Sequence, residues 1–186
     1  MNIPNILTSI RILMIPVLVV LYYLPWEGRY TGCAIIFALA AITDWLDGYL
    51  ARKLDQTSAF GAFFDPVADK LMVSIALVLL VESYANPLMT VASSVIVGRE
   101  IVISALREWM AEMGKRANIA VSYIGKMKTA MQMLAIFILL GNEPDTTWAI
   151  VGEATLILAA LLTLWSMFVY LKAAWPALSA SSSSEK

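Results

Sequence analysis

Residues 44 to 69 read DWLDGYLARKLDQTSAFGAFFDPVAD, and this stretch decides how the chain can fold. Asp44, Asp47, Asp65 and Asp69 lie inside segments that are otherwise apolar enough to span a bilayer. One ionised side chain in hydrocarbon costs roughly 2.5–3.5 kcal/mol on insertion scales, so these acids need a strong compensating interaction. A bound divalent cation would supply it, and the stretch therefore indicates a functional site inside a membrane protein.

The composition of the whole chain agrees with a membrane location. Of its 186 residues 60% are hydrophobic, and the mean hydropathy is +0.77. Soluble domains are about 45–50% apolar, so one integral membrane domain is expected. A membrane-spanning helix needs about 20 apolar residues. Apolar runs near that length occur at Ile12–Leu24, Tyr30–Leu50, Phe60–Val81, Pro87–Leu106, Gly125–Leu140 and Trp148–Leu171.

The N-terminus predicts an amphipathic helix that lies in the membrane interface before the first span. Its apolar residues recur at the spacing of one helix face, at Ile3, Ile6, Leu7 and Ile10. Asn5, Thr8 and Arg11 share the opposite face. Two interpretations are open for these polar side chains: they take part in the site, or they only face water.

The predicted fold is an all-α membrane protein with six transmembrane helices. An amphipathic juxtamembrane helix covers residues 1–11, the six-helix domain covers 12–172, and a C-terminal tail covers 173–186. The serine-rich end of the tail has little to bury, which is typical of disorder. The sequence contains no internal repeat, which argues against a transporter built of inverted halves.

The cationic residues fix the expected orientation. An even number of crossings puts both termini on one side of the membrane, and 12 of the 13 Lys and Arg residues then fall on that side. Only Arg29 falls opposite. The positive-inside rule makes the cation-rich side cytoplasmic. Both termini and the acidic stretch are therefore expected at the cytosolic face.

The absent and rare residue types limit the possible chemistry. The chain has no histidine, so acid–base work falls to carboxylates, Lys or Tyr. The single cysteine, Cys33, excludes an intramolecular disulfide and a thiolate zinc cluster, and we expect it to pack between helices.

Helical spacing brings the acids together. Residues three or four apart share a helix face, so Asp44 and Asp47 form one pair and Asp65 and Asp69 another. A short loop makes the two spans antiparallel, which lets the pairs meet. Close carboxylates repel strongly unless cations neutralise them. Oxygen-only ligands suit Mg²⁺ or Mn²⁺, with Ca²⁺ less favoured.

Small and basic residues continue the stripe of the first acid pair. Gly48 and Ala51 either allow close helix packing or let a flat group lie beside the metal. Arg52 either pairs with a phosphate or extends its charge to the membrane surface.

The pattern Asp-x2-Asp-Gly-x2-Ala-Arg-x8-Gly-x3-Asp-x3-Asp resembles the signature of the CDP-alcohol phosphotransferase family. Its positions are filled by Asp44, Asp47, Gly48, Ala51, Arg52, Gly61, Asp65 and Asp69. The resemblance covers most of the chain and is greatest to bacterial members that use glycerol 3-phosphate as acceptor. It extends through Ile-Pro-Asn5-Ile-Leu-Thr8, Gly98-Arg99-Glu100, Arg107-Glu108-Trp109 and Gly125-Lys126-Met-Lys128-Thr129.

The resemblance implies a donor site for CDP-diacylglycerol. Two divalent ions, Mg²⁺ or Mn²⁺, would be held by Asp44, Asp47 and Asp65. Asp69 would touch metal as well and act as the catalytic base. The residues implied in binding CDP are Gly48, Ala51, Arg52, Gly61, Asn5 and Thr8.

The resemblance also implies sn-glycerol 3-phosphate as acceptor, a homodimer and a multi-pass location in the bacterial inner membrane. An anionic acceptor needs a cationic site, for which the inner face offers Arg99, Arg107, Lys126 and Lys128. Each of these residues is alternatively a positive-inside anchor.

Two alternatives stay open. The acid pattern binds the donor that the family shares and does not distinguish between acceptors. The acceptor is therefore alternatively inositol phosphate, serine or a second phospholipid. A cation transporter with the acids along its ion path is the alternative from another class. The acids cluster at one end of the helices instead of spanning the bilayer, which argues against transport.

Overall fold

The computed structural model describes residues 3–54, 59–112 and 123–181. Every regular element in this described part is an α-helix, which confirms the predicted all-α class. In chain order the helices are α1 Ile3–Tyr23, α2 Arg29–Leu54, α3 Ala59–Tyr84, α4 Pro87–Glu112, α5 Tyr123–Leu140 and α6 Thr147–Ser181.

Helix length and composition identify a multi-pass membrane protein. Four segments are long and apolar enough to cross a bilayer, namely Asn5–Tyr23, Arg29–Gly48, Pro87–Glu112 and Thr147–Lys172. A shorter apolar stretch lies in α5, at Met127–Leu140. Helix α3 is 26 residues long, but charged side chains such as Asp65, Asp69 and Lys70 interrupt its apolar sequence. Of the six predicted crossings, helix length and composition therefore support four.

The predicted break after residue 11 is wrong as a helix boundary. Residues 3 to 23 form one continuous helix, α1. No glycine or proline lies between Asn5 and Ile15 to end the first turns. The apolar outer face also continues without interruption through Ile10, Leu13 and Val17, all exposed at the surface of the bundle.

The C-terminal boundary also differs from the prediction. Helix α6 continues past Lys172 to Ser181, so most of the predicted disordered tail is helical. Four of the nine residues from 173 to 181 are alanine, which favours a helix, whereas Pro176 within the same segment opposes it. Residues 182 to 186 lie outside the described residues.

The first half of α1 meets the last part of α2 through Arg11 and Asp47, and the first half of α3 meets the last part of α4 through Lys70 and Ser104, so these neighbouring helices are antiparallel. Helix α1 packs on α2 and α3, while α6 packs on α4 and α5. Fully buried apolar side chains fill the space between them, among them Leu18, Phe37, Leu77, Ile96 and Leu139. Because successive helices alternate in direction, the starts of α1, α3 and α5 lie at the same end of the bundle as the last turns of α2, α4 and α6. We call this the polar end, because the predicted site residues lie there.

Candidate functional site

Three carboxylates from two helices meet at the polar end. Asp44 and Asp47 come from α2, one turn apart, and Asp65 comes from the start of α3. One oxygen from each lies within 4.8 Å of the others. Asp47 is 3% exposed, whereas the other two are half-buried. The structure therefore joins three of the four acids predicted as metal ligands, and we call them the acidic cluster.

The fourth predicted acid, Asp69, lies outside the acidic cluster. It follows Asp65 by one helical turn, roughly 6 Å along the axis of α3. Asp69 is exposed and lines a cavity of about 160 Å³ between α3, α4 and α5. The other polar residues that line this cavity are Lys70, Ser74, Arg99, Glu100, Thr129 and Gln132. The acids thus divide into a cluster of three and one carboxylate facing an adjacent polar cavity.

Arg11 joins the acidic cluster from α1. Its side chain is 1% exposed, and its Nη1 lies 2.8 Å from Asp44 Oδ1 and 3.2 Å from Asp65 Oδ1. Its Nη2 donates to Asp47 Oδ2. Sequence reasoning missed this contact, because it counted Arg11 as a charge on the polar face and as a positive-inside residue. The available signal was its helical spacing from Asn5 and Thr8 on that face.

Two buried polar atoms in the acidic cluster lack hydrogen-bond partners among the described residues. They are Asp47 Oδ1 and Arg11 Nε. Leaving a buried polar atom unpaired costs about 1–3 kcal/mol, and more when the group is charged. The cluster sets three carboxylates against one guanidinium, so it keeps a net negative charge. An oxygen-only donor set with an unpaired carboxylate oxygen fits a divalent cation such as Mg²⁺ or Mn²⁺.

The polar face of α1 is directed into the bundle. Thr8 is 2% exposed and Asn5 is half-buried, so the interpretation that this face only meets water is wrong for Thr8 and Arg11. Gly48 on α2 and Gly61 on α3 are also half-buried and lie close in sequence to cluster acids. The side chains of Ala51 and Arg52 lie outside the described residues.

The structure separates the basic residues predicted for the acceptor. Arg99 lines the cavity and pairs with Glu100. Lys128 is 5% exposed and precedes the cavity residue Thr129 on α5. The side chain of Lys126 lies outside the described residues.

Arg107 is exposed, and its guanidinium carbon lies 5.6 Å from the centre of the Tyr170 ring on α6. It is not among the residues that line the cavity. Lys70, which sequence reasoning treated only as a positive-inside residue, does line it. The Lys70 ammonium donates to the Ser104 hydroxyl, which holds this second cation between α3 and α4.

These features define a helical membrane protein with an acidic oxygen-donor site beside a cavity that carries both charges. The CDP-alcohol phosphatidyltransferase family model matches residues 1–168, and the chain belongs to this family. The match confirms the resemblance carried by the acidic stretch.

Bacterial relatives named CDP-diacylglycerol--glycerol-3-phosphate 3-phosphatidyltransferase cover nearly the whole chain. The protein of Pseudomonas fluorescens is 56% identical over 178 residues, which are 95% of this chain and 91% of the relative. The protein of Sodalis glossinidius is 55% identical over 174 residues, 94% and 95% of the two chains. That of Salmonella choleraesuis is 53% identical over 173 residues, 93% and 94% of the two.

Proposed function

We propose that the protein transfers the phosphatidyl group of CDP-diacylglycerol to sn-glycerol 3-phosphate, giving phosphatidylglycerophosphate and CMP. The names of its relatives support this reaction. The observation that carries the proposal in the structure is the position of Asp69. It lies one helical turn from the acidic cluster and lines the adjacent cavity, which contains Arg99 and Lys70.

The acidic cluster is the proposed donor site. Divalent cations, proposed as two Mg²⁺ or Mn²⁺ ions, would neutralise the diphosphate of CDP-diacylglycerol there and stabilise the negative charge on its oxygens as CMP leaves. Asp44, Asp47 and Asp65 are the proposed ligands. Gly48 and Gly61 stay predictions as small residues beside the nucleotide. Thr8, Asn5, Ala51 and Arg52 stay predictions as further contacts to CDP.

The cavity between α3, α4 and α5 is the proposed acceptor site. Arg99 and Lys70 supply positive charge for the phosphate of sn-glycerol 3-phosphate. Lys128, Lys126 and Arg107 stay predicted contributors, although the stacking of Arg107 on Tyr170 makes it the weakest of them.

Asp69 is the proposed general base. Its carboxylate takes the proton of the terminal hydroxyl of glycerol phosphate as that oxygen attacks the β-phosphorus. A new bond forms between this oxygen and phosphorus while the bond from phosphorus to the CMP oxygen breaks. CMP leaves with that bonding pair. The lipid product keeps its acyl chains in the bilayer.

We further propose that the polar end faces the cytosol of a bacterial inner membrane and that both termini lie on that side. The positive-inside distribution of Lys and Arg supports this orientation. In this arrangement α3 and α5 also cross the membrane, which gives six crossings. A homodimer is proposed from the family resemblance.

An acceptor screen tests the proposed function. Purified protein receives CDP-diacylglycerol, Mg²⁺ and one of several labelled alcohols, and CMP release and lipid product are measured. We expect product with sn-glycerol 3-phosphate and none with inositol phosphate, serine or a phospholipid. Product from another alcohol instead would refute the acceptor. Absence of CMP release together with Mg²⁺ flux in proteoliposomes would favour transport and refute the enzyme.

A further inference from the structure

The guanidinium of Arg11 lies between carboxylates of two different helices. It contacts Asp44 and Asp47 of α2 and Asp65 of α3, while Arg11 itself belongs to α1. One residue therefore ties three helices together at the polar end. The side chains of Arg11 and Asp47 are 1% and 3% exposed, so this ion pair is shielded from water, whereas the side chains of Asp44 and Asp65 are partly exposed.

We propose that Arg11 is an exchangeable internal counter-ion: it holds the acidic cluster together and competes with a divalent cation for the negative charge of the same three carboxylates. The inference rests on the proposed metal site and extends it. Arg11 is on this view a positioning residue, since it acts on the substrate only through the acids.

The positions of the donors support competition. The two Nη nitrogens of Arg11 take Asp44 Oδ1, Asp65 Oδ1 and Asp47 Oδ2, one oxygen from each member of the cluster. An ion that binds another oxygen of these acids, such as the unpaired Asp47 Oδ1, still shares the negative charge of the carboxylate with the guanidinium. The positive charge of Arg11 also repels an entering cation.

The spacing of the oxygens points the same way. The oxygens of the cluster spread over as much as 4.8 Å. An ion with bonds of about 2.1 Å holds its oxygens no more than about 4.2 Å apart. If a single ion contacted all three acids, the oxygens would have to move closer together, and loosening the contacts to Arg11 would allow this; two ions would accept the observed spacing.

The two proposed roles of Arg11 predict changes in two different quantities, metal affinity and stability, for a variant that lacks the guanidinium. Removing Arg11 removes a competing charge, so metal affinity rises. It also leaves three buried or half-buried carboxylates without their counter-ion, so stability in chelator falls. A purely structural role for Arg11 would instead lower both quantities.

Binding of Mn²⁺ to the full-length protein in detergent, after chelator treatment and dialysis, tests the proposal. Free Mn²⁺ is followed by electron paramagnetic resonance for wild type, Arg11→Gln, Arg11→Lys and Arg29→Gln. The matched control Arg29 lies at the other end of α2, where it donates to the Tyr30 hydroxyl. We expect Arg11→Gln to bind Mn²⁺ at least about tenfold more tightly than wild type. Arg29→Gln should equal wild type.

Thermal unfolding completes the test. Arg11→Gln should unfold at a lower temperature than wild type in chelator, and Mn²⁺ should raise its Tm more than it raises that of wild type. Arg11→Lys keeps the charge but has one nitrogen in place of two Nη donors. Its Mn²⁺ affinity should therefore lie between those of wild type and Arg11→Gln.

Equal or weaker Mn²⁺ binding by Arg11→Gln, with normal binding by wild type and Arg29→Gln, would overturn the proposal. Where Arg11→Gln does not fold, Arg11→Lys decides: tighter binding than wild type supports competition, and equal or weaker binding refutes it. A wild-type protein that binds no Mn²⁺ would instead remove the metal site on which the inference rests.

Discussion

Replacing Asp69 by Asn tests the role of the proposed base independently of metal binding by the acidic cluster. The side chain keeps its shape but cannot accept the proton of the acceptor hydroxyl. A positioned general base contributes about 10²- to 10⁴-fold to the rate. This corresponds to roughly 2.7–5.4 kcal/mol at about 1.36 kcal/mol for each factor of ten. Because Asp69 is not a member of the cluster, we expect this loss in kcat to persist when the metal is saturating.

The assay measures CMP release at saturating Mn²⁺ and both substrates, together with Mn²⁺ affinity. Asp47→Asn is the comparison, because Asp47 supplies an oxygen to the cluster and should lose more Mn²⁺ affinity than Asp69→Asn does. Glu82→Gln is the matched control, an exposed acid at the far end of the same helix, where it contacts the Tyr23 hydroxyl. An Asp69→Asn enzyme that retains more than about one tenth of wild-type kcat would refute the assignment.

Three further predictions follow from the same geometry. Arg99→Ala should raise the KM for sn-glycerol 3-phosphate at least about tenfold, because a charged hydrogen bond is lost. Arg107→Ala should raise this KM less. Equal KM values for the two variants in steady-state assays would contradict the assignment of the cavity as the acceptor site. Chelation should abolish CMP release and added Mg²⁺ should restore it, whereas activity that survives chelation would exclude the metal site. Gly152→Val should lower stability by about 1–3 kcal/mol, because a Cβ at Gly152 meets Leu139 Cγ at 2.8 Å. Gly98→Ala, with nothing within 4 Å of the added Cβ, is the control, and equal Tm values would refute this packing argument.

The all-helical fold and the meeting of Asp44, Asp47 and Asp65 could be predicted because both depend on local periodicity. Helical spacing aligns the first two acids, and a short connection folds α3 back beside α2. The high cost of acids in hydrocarbon then indicates a function. These arguments need only the sequence of two adjacent helices.

The role of Arg11 could not be predicted in this way. It lies 33 residues before Asp44, and no local pattern distinguishes a guanidinium buried between helices from one at the membrane surface. Its contacts depend on how α1 packs against α2 and α3. Helix packing also explains why Arg99 lines the cavity and Arg107 does not. The packing of α4 against α6 places Arg107 against Tyr170.

The position of Arg11 on α1 has a consequence for biosynthesis. A chain grows from its N-terminus, so α1 emerges from the ribosome before the helices that carry Asp44, Asp47 and Asp65. The guanidinium is then already present when the acids reach the translocon. The order of synthesis thereby delivers the neutralising partner ahead of the charges that are hardest to insert.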